Sequence, residues 1–170
     1  TTNLGFSLGT AFEQYEDLVF RPELSVAMED LETDSSASSA LKKQAGDYFD
    51  FYFNYSLDYD LRNQRYQPSE GYRSKFTQEL PIASEGYEVV NSYEYSRYQT
   101  FGPEMIGKVS FYGSAVKTIG DKDVRISKRL YIPSSKLRGF ESGKVGPTEN
   151  NSYIGGNYVS TLNLSTTLPQ

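Results

Sequence analysis

The sequence predicts an all-β protein, and more closely an antiparallel up-and-down transmembrane β-barrel of which this chain is a partial wall of about seven strands. Three observations predict it. Apolar and polar residues alternate with a period of two over long runs, and short turns alternate with long loops between those runs. The third observation is composition, because 15 Tyr and 10 Phe residues stand in a polar background with a mean hydropathy of -0.58.

The first two strands are predicted at residues 4–12 and 18–29. Each places mostly apolar side chains at even-numbered positions and small or polar ones at odd-numbered positions. Pro22 would remove one ladder hydrogen bond, so it predicts a bulge or a break within the second strand. Residues 30–46 lose the alternation and contain acidic residues, a Ser/Ala cluster and two Lys residues, which predicts a long exposed loop.

The clearest alternation covers residues 47–62, where aromatic and Leu side chains fill the odd positions and mostly polar ones the even positions. A strand of this length would extend about 50 Å at ~3.3 Å per residue, which is longer than most strands of soluble sheets. Such length is typical of a membrane barrel wall. A turn at residues 63–71 and a weaker strand at 72–82 follow.

Three further strands complete the predicted wall. Residues 87–99 and 105–115 predict a hairpin, because the short connection 100–104 contains both Gly and Pro. A long irregular stretch, 118–153, comes next. The last strand, 157–168, alternates Leu and Tyr with Asn and Thr, which brings the count to seven.

Composition removes several classes of function. The chain has neither Cys nor His, so it cannot supply a cysteine nucleophile, a histidine-based hydrolytic triad or the usual thiolate and imidazole ligands of zinc. A net charge of -5 with scattered Lys and Arg argues against nucleic-acid binding. No apolar run approaches the length of a membrane-spanning helix. We therefore expect no enzyme activity, no metal, no cofactor and no nucleic-acid partner.

Two of the predicted connections carry motifs. The long irregular stretch contains Arg138-Gly139-Phe140, then Gly146-Pro147, and the last strand opens with Gly155-Gly156-Asn157. The turn after the 47–62 strand combines an acidic residue, an arginine, a proline and a glycine at positions Asp60, Arg62, Pro68 and Gly71.

On these residues the chain resembles the barrel domain of BamA-like outer-membrane β-barrel assembly factors, also described as bacterial surface antigen or D15-type barrels. The stretch 136–158 is similar to the sixth extracellular loop of that family, and the stretch 60–73 resembles one of its periplasmic turns. The resemblance implies a barrel of roughly sixteen strands preceded by periplasmic POTRA modules. We expect residues 1–170 to be an internal part of this C-terminal barrel domain, without the POTRA modules or the closing strands.

The resemblance also implies a role for the loop motif. In the family the loop folds back into the barrel lumen, and its arginine, here Arg138, engages an acidic residue on a later strand. A guanidinium suits this role, because it can hold a carboxylate bidentately and stays charged at any relevant pH. Gly139 is expected to relieve the backbone at the loop tip, and Phe140 is expected to pack against lumen aromatics.

Connections in an up-and-down barrel must alternate between the two membrane faces. If the loop with Arg138 is extracellular, the connections 63–71 and 100–104 lie on the periplasmic side and the loop 30–46 lies outside. Long loops then fall on the outer side and short turns mostly on the inner side.

The function implied by the resemblance is that of an assembly factor that folds and inserts β-barrel proteins into the bacterial outer membrane without covalent chemistry. Implied partners are nascent outer-membrane barrel proteins, assembly-complex lipoproteins and outer-membrane lipids. Two alternatives stay open. One is a related two-partner or TamA-like secretion or translocation pore, and the other is a soluble β-sandwich binding module with the aromatic faces as its core.

Two other candidate sites are weaker. Asp58 and Asp60 share a strand face at about 7 Å, a separation compatible with a glycosidase carboxylate pair, but polar residues commonly line a barrel lumen and a solvated wall is the better interpretation. The acidic residues after position 29 begin with calcium-loop spacing. Ser35 replaces the required Gly, however, and Leu41 stands where the bidentate Glu belongs.

Overall fold

The computed structural model describes residues 2–32, 42–149 and 151–167. These residues form one eight-stranded antiparallel sheet and a separate two-stranded ribbon. The strands are β1 (Thr2–Gly9), β2 (Phe12–Tyr15), β3 (Leu18–Leu31), β4 (Gly46–Asp60), β5 (Gly71–Ser84), β6 (Glu88–Gly102), β7 (Met105–Thr118), β8 (Thr148–Glu149), β9 (Ser152–Tyr153) and β10 (Tyr158–Thr166). A short 3-10 helix, Ile126–Lys128, lies between β7 and β8.

The sheet is a meander in which each long strand pairs with its neighbour along the chain. Its order is β1-β3-β4-β5-β6-β7-β10, and β2 continues the line of β1 along β3. The predicted all-β antiparallel wall of about seven strands is therefore confirmed. Strands β3 to β7 contain 14 or 15 residues each, which corresponds to about 45–50 Å at ~3.3 Å per residue.

The two faces of the sheet differ in polarity. Apolar side chains are the exposed ones and charged side chains the buried ones, the reverse of a soluble protein. Leu4, Phe6 and Leu8 are 73, 71 and 69 % exposed, whereas Asp50 and Glu88 are 2 and 1 % exposed. The strand registers of β3 to β7 place mostly polar side chains opposite one another on one side of the sheet, which we call the lumen face. A wall that buries carboxylates and exposes Leu and Phe fits lipid on one side and a polar interior on the other.

Aromatic side chains on the outward face touch one another across neighbouring strands. Measured between ring centroids, Tyr55 lies 6.0 Å from Phe20 of β3 and 6.1 Å from Phe76 of β5, and also 6.0 Å from Phe53 of its own strand. In the part of the chain that the structure describes, the second sheet is the ribbon β8–β9, with two residues per strand. A ribbon of this size is too small to bury the outward face, so the soluble β-sandwich is not favoured.

Pro22 does not break its own strand, and the expectation of a bulge or a break there is wrong. β3 is continuous from Leu18 to Leu31, with Pro22 opposite Tyr55. The interruption falls instead on the neighbouring line, between β1 and β2, where the Thr10 N–H donates to the Pro22 carbonyl at 3.1 Å. Pro22 has no backbone N–H to donate toward β1 and β2. Because that neighbouring line is interrupted opposite Pro22, no ladder hydrogen bond from its nitrogen is required.

The strands extend further than the sequence predicts at several ends. β6 continues to Gly102, which leaves a tight turn before β7 in which Glu104 has a φ of 62°. β7 continues to Thr118. The predicted loop 30–46 begins after Leu31 and ends before β4, and its residues 33–41 lie outside the described residues. Across the described ranges, no helix has the length and apolar content needed to cross a membrane.

The polarity of the two faces predicts an asymmetric response to charge. Phe53 lies at the middle of β4 on the outward face. Phe53→Arg is therefore expected to lower the free energy of unfolding in a bilayer by about 2–4 kcal/mol, because a guanidinium would face hydrocarbon. Thr77→Arg, at mid-strand on the lumen face, is the matched control and is expected to cost about 1 kcal/mol or less.

Urea titration of the full-length protein in lipid vesicles measures both variants. A Thr77→Arg cost equal to that of Phe53→Arg would contradict the assignment of the faces. The single change Phe53→Leu separates the loss of the ring from the gain of charge.

Candidate functional site on the lumen face

The long connection between β7 and β10 lies against the lumen face and contacts the wall at separate levels. We call residues 119–157 the lumen loop. The end of the sheet at which β7 stops and β10 begins is called the loop end. The opposite end of the sheet is called the turn end. The lumen loop is held together by a bridge in which Leu130 and Gly156 exchange backbone hydrogen bonds of 2.8 and 2.9 Å. The fold-back of this loop into a closed barrel lumen stays a prediction.

A buried arginine anchors the lumen loop at the loop end. Arg125 is 3 % exposed, and its Nη2 donates to Oδ2 of Asp50 on β4 at 2.6 Å. The same guanidinium lies 3.7 Å from carboxylate oxygens of both Glu29 on β3 and Glu88 on β6. The three acidic side chains are 8, 3 and 1 % exposed for Glu29, Asp50 and Glu88. We call these four residues the latch cluster.

Neutral side chains complete the hydrogen bonding of the latch carboxylates. Ser84 donates to Asp50 at 2.6 Å, Tyr52 donates to Glu88 at 3.3 Å, and Ser127 of the lumen loop donates to Glu29 at 2.8 Å. The Arg125 guanidinium also lies 4.3 Å from the ring centroid of Tyr48, at a cation–π distance. Each wall carboxylate therefore has at least one neutral donor or aromatic neighbour besides the guanidinium.

The latch cluster keeps Arg125 charged. Burial by itself would lower the pKa of the Arg125 guanidinium, but the hydrogen bond to Asp50 and the charges of Asp50 and Glu88 outweigh it, and the net shift raises the pKa above its ordinary value. The cluster therefore holds one permanent positive charge among three carboxylates. Lys128 brings a second positive charge near, with its Nζ 4.4 Å from the centroid of the Tyr52 ring.

Sequence analysis did not single out Arg125. Its partners lie 37 to 96 residues away along the chain, counted from positions 29, 50, 88 and 125, so no local motif marks them. One signal was available, because Glu29, Asp50 and Glu88 all fall on polar faces at the same end of the predicted strands. Three carboxylates gathered in a polar interior require a cation, and the neighbouring loop is its nearest source.

The middle of the lumen loop contacts the wall through Lys136. Its ammonium pairs with Glu94 of β6, and its backbone carbonyl accepts a hydrogen bond from the Asn163 amide of β10 at 2.9 Å. The side chains of Lys136 and Glu94 are 28 and 46 % exposed, so this pair is more hydrated than the latch cluster. An exposed pair of this kind contributes about 1 kcal/mol or less.

Arg138 lies further toward the turn end, on an exposed part of the lumen loop. It lines a lumen pocket that also contains Arg62, Arg73, Lys75 and Lys108. Among the described residues no carboxylate forms an ion pair with Arg138. Glu94 also lines the pocket and pairs with Lys136, and Arg62 and Arg73 are paired with Asp60 and Asp58. The positive charge left over comes from Lys75, Lys108 and Arg138, and it favours an acidic group there.

The remaining loop-motif residues occupy defined backbone positions. Gly139 has a φ of 84°, a left-handed conformation that suits glycine, and Phe140 is 61 % exposed. The packing of Phe140 against lumen aromatics stays a prediction. Gly146 directly precedes Pro147, whose carbonyl accepts a hydrogen bond from Ile154 at 3.0 Å and so closes the ribbon β8–β9.

The Gly155-Gly156-Asn157 stretch joins the lumen loop to β10. Gly155 has a φ of 68°, and a Cβ there would meet the Arg129 Cβ and the Tyr131 ring at 3.0 Å. Gly156 forms the bridge to Leu130, and the Asn157 carbonyl accepts from Val116 of β7 at 2.8 Å. The motif thus starts the last strand in register with β7.

The turn motif forms a compact, self-bonded connection at the turn end. Arg62 donates two hydrogen bonds to Asp60, at 2.7 and 2.6 Å, which raises the pKa of the guanidinium. The Asn63 side chain accepts from the backbone N–H groups of Ser69 and Glu70 and so spans the turn that contains Pro68. Gly71 has a φ of 92°, and a Cβ there would stand 2.1 Å from the Leu61 carbonyl oxygen.

Asp58 and Asp60 are bound by arginines, and the expectation of a solvated wall is wrong for Asp58, whereas the Asp60 side chain is 25 % exposed. The Asp58 carboxylate is 8 % exposed and accepts from Arg73 at 2.8 and 2.7 Å and from Arg21 at 3.1 Å. Carboxylates held in this way are structural and poorly suited to nucleophilic attack. In the described ranges, no group of His, Cys, Asp or Glu residues has a geometry that could hold a metal ion.

Comparisons with known proteins agree with one another. The Omp85 superfamily domain matches residues 1–170. The chain is 29 % identical over 140 residues to the human sorting and assembly machinery component 50 homolog and 30 % identical over 139 residues to its Bos taurus counterpart. These matches cover 79 and 78 % of this chain but 30 and 29 % of those proteins, so the chain spans about 30 % of their length.

A solved structure shows the same fold. The crystal structure of BamA from Haemophilus ducreyi lacking POTRA domains 1-3 superposes with a TM-score of 0.82 at 17 % sequence identity. The match covers 99 % of this chain and 37 % of that one.

The turn motif predicts that Gly71 tolerates no side chain. In the full-length protein Gly71→Ala is expected to destabilise the folded barrel by about 3 kcal/mol, because the new Cβ adds a backbone clash to an unfavourable positive φ. Gly120→Ala is the matched control, since Gly120 has a φ of 116° with no atom within 4 Å of the added Cβ. It isolates the conformational cost, about 1–2 kcal/mol.

Urea midpoints of the two variants in one detergent or vesicle system give the comparison. Equal losses for Gly71→Ala and Gly120→Ala would show that the turn can move aside and would contradict the predicted clash.

Proposed function

The chain belongs to the Omp85 superfamily, and from this membership we propose that its parent protein folds β-barrel proteins and inserts them into a bacterial outer membrane. The resemblance to BamA-like barrels is confirmed, and the chain is part of an outer-membrane β-barrel. The observation that carries the proposal is the lumen loop, which lies against the interior wall and presents Arg138 to the open lumen. This arrangement is the one that the family resemblance implies for an assembly factor.

The proposed activity involves no covalent chemistry. The carboxylates Asp58 and Asp60, which could have suggested hydrolysis, are bound by arginines. What the described wall offers instead is a rigid polar interior, an apolar exterior and a loop that fills part of the lumen. These features can template and guide the insertion of another barrel, and we propose that they do so without a cofactor.

The proposed partners are nascent outer-membrane barrel proteins, assembly-complex lipoproteins and the surrounding lipids. Support comes from the names of the relatives, which describe components of a sorting and assembly machinery. Those relatives favour assembly over a secretion pore. The membrane is proposed to be bacterial from the resemblance of the loop and turn motifs to BamA-like proteins. Fractionation of the source cells tests this against the mitochondrial outer membrane.

The excess positive charge around Arg138 supports docking onto an acidic residue. Arg62 and Arg73 already pair with Asp60 and Asp58, so the charge left to balance is that of Lys75, Lys108 and Arg138, and a carboxylate on a later strand of the full barrel would balance part of it. A guanidinium can hold such a carboxylate through two parallel hydrogen bonds. We therefore propose that Arg138 fixes the loop tip in the closed barrel.

Charge reversal tests the proposed role of Arg138. In the full-length protein Arg138→Glu is expected to lower the amounts of other outer-membrane barrels several-fold, because two like charges would meet at the docking site. Combining it with an acidic-to-Arg change of the proposed partner is expected to restore them. Arg138→Lys is expected to give a smaller loss, since an ammonium is a single point charge.

Lys144→Glu is the control, because Lys144 lies in the same loop with its side chain 56 % exposed. The amounts of several barrel proteins in the membrane, measured against a lipoprotein that needs no barrel assembly, give the readout. Normal barrel amounts with Arg138→Glu in a correctly folded protein would overturn the proposed function of the loop tip.

A further inference from the structure

We propose that Arg125 is a positioning residue that fixes the base of the lumen loop to the wall through the latch cluster, independently of the motif at the loop tip. The proposal concerns where the loop lies, and it rests on the proposed function only for its effect on barrel assembly. Nothing in the Arg138-Gly139-Phe140 motif is required for it.

The first argument is the reach of the loop across the wall. The lumen loop leaves β7 at Thr118, and seven residues later the Arg125 guanidinium lies among carboxylates of β3, β4 and β6. In the sheet order these strands lie one to four positions from β7. A single side chain therefore ties the loop to strands across more than half of the described wall.

The second argument is that the wall and the loop each complete the other. The wall contributes three buried carboxylates, and the loop contributes the guanidinium, the Ser127 hydroxyl and nearby Lys128. Without Arg125 the carboxylates would repel one another in a poorly hydrated space. Without the wall carboxylates, burial of the Arg125 guanidinium would be unfavourable, because its lost hydration would not be compensated. The ion cluster therefore favours the one position of the loop that brings the guanidinium among the three carboxylates.

The third argument comes from the backbone next to Arg125. The Arg125 N–H donates to Glu88 at 3.4 Å, and the Ile126 N–H donates to the Gln44 side chain at 2.7 Å. Ile126 is itself only 8 % exposed. The loop backbone is thus bound at this point to Glu88 of β6 and to Gln44, which lies just before β4, in addition to the contacts of the Arg125 side chain.

The loop tip contrasts with this base. Arg138 has no carboxylate partner in the described part of the wall, and the Lys136–Glu94 pair is partly hydrated. Contacts with the wall are therefore strongest at the base and weakest at the tip. It follows that the tip can engage or release an acidic partner while the base keeps the loop inside the barrel.

Chemical labelling of a reporter cysteine tests the latch directly. The chain contains no Cys, so Ser135→Cys places one thiol on the lumen loop at an exposed position of the lumen pocket. The purified full-length protein, with other cysteines replaced by serine, is folded in lipid nanodiscs and treated with a maleimide that is too bulky to enter the lumen. The labelling rate then reports how often the loop leaves the barrel.

Arg125→Met is expected to raise the labelling rate about tenfold or more, because it removes the cation that the three carboxylates require. Arg125→Lys is expected to give an intermediate rate, since an ammonium keeps the charge but not the planar set of donors. Lys144→Gln, which disrupts the exposed Lys144–Glu141 pair, is the control and is expected to leave the rate unchanged. A protected thiol in folded Arg125→Met protein would overturn the proposal.

A fourth variant separates the latch from general stability. Arg125→Met combined with Glu29→Gln, Asp50→Asn and Glu88→Gln removes all four charges together, so no uncompensated charge stays buried and folding is expected to recover. The thiol is expected to remain reactive, because the tie between loop and wall is gone. If this variant folds with a protected thiol, the cluster only fills space and the latch is wrong.

The labelling result is independent of the proposed function. A released loop with undiminished assembly of other barrels would leave the latch intact and overturn the assembly role of the loop. A protected loop in a protein that no longer assembles barrels would do the reverse.

Discussion

The structure depends on one constraint, which is that a backbone facing lipid must find its hydrogen bonds within the protein. Strands β3 to β7 meet it by pairing with their sequence neighbours along most of their length. Once that ladder exists, every second side chain faces lipid and the others face the interior. The period of two in the sequence follows from this geometry, and so does the inversion that leaves Phe6 exposed and Asp50 buried.

The same constraint explains why the interior is rich in charge pairs. A lumen face built from alternate residues must be polar, but neighbouring side chains and the lumen loop cover several of its carboxylates, which lose much of their hydration. Each buried acid of the described wall is therefore met by a cation, as Asp58 is by Arg21 and Arg73. The latch cluster follows the same logic, except that its cation, Arg125, comes from the lumen loop. The loop thereby becomes part of the wall's charge balance.

Much of the fold could be predicted from the sequence, because the dominant signal is local. The alternation through residues 47–62 predicted β4 and its two faces, and the strand count followed from the turns between such runs. Pro22 was misinterpreted because its effect depends on the neighbouring strand, which has a gap opposite it. A single strand's sequence carries no information on where its partner is interrupted.

The site was predicted less completely, for a related physical reason. Arg138 and Gly71 lie in contiguous motifs, so the resemblance to a known family identified them. The partners of Arg125 come from three strands and are brought together only by the register of the sheet. Asp58 was likewise treated as solvated, because its arginines at positions 21 and 73 lie on different strands. Long-range charge pairing was the element missing from the local pattern.

The distribution of these contacts along the loop bears on how a barrel of this kind could open. The latch cluster ties β3, β4 and β6 to the loop that connects β7 and β10, so five of the seven strand lines share one charged network or its covalent connection. Separating neighbouring strands anywhere between β3 and β6 would break a backbone ladder and also move a latch carboxylate away from Arg125. Opening is therefore disfavoured within this wall. If the parent protein inserts other barrels as proposed, a seam that admits them costs less free energy between strands that no buried ion cluster spans.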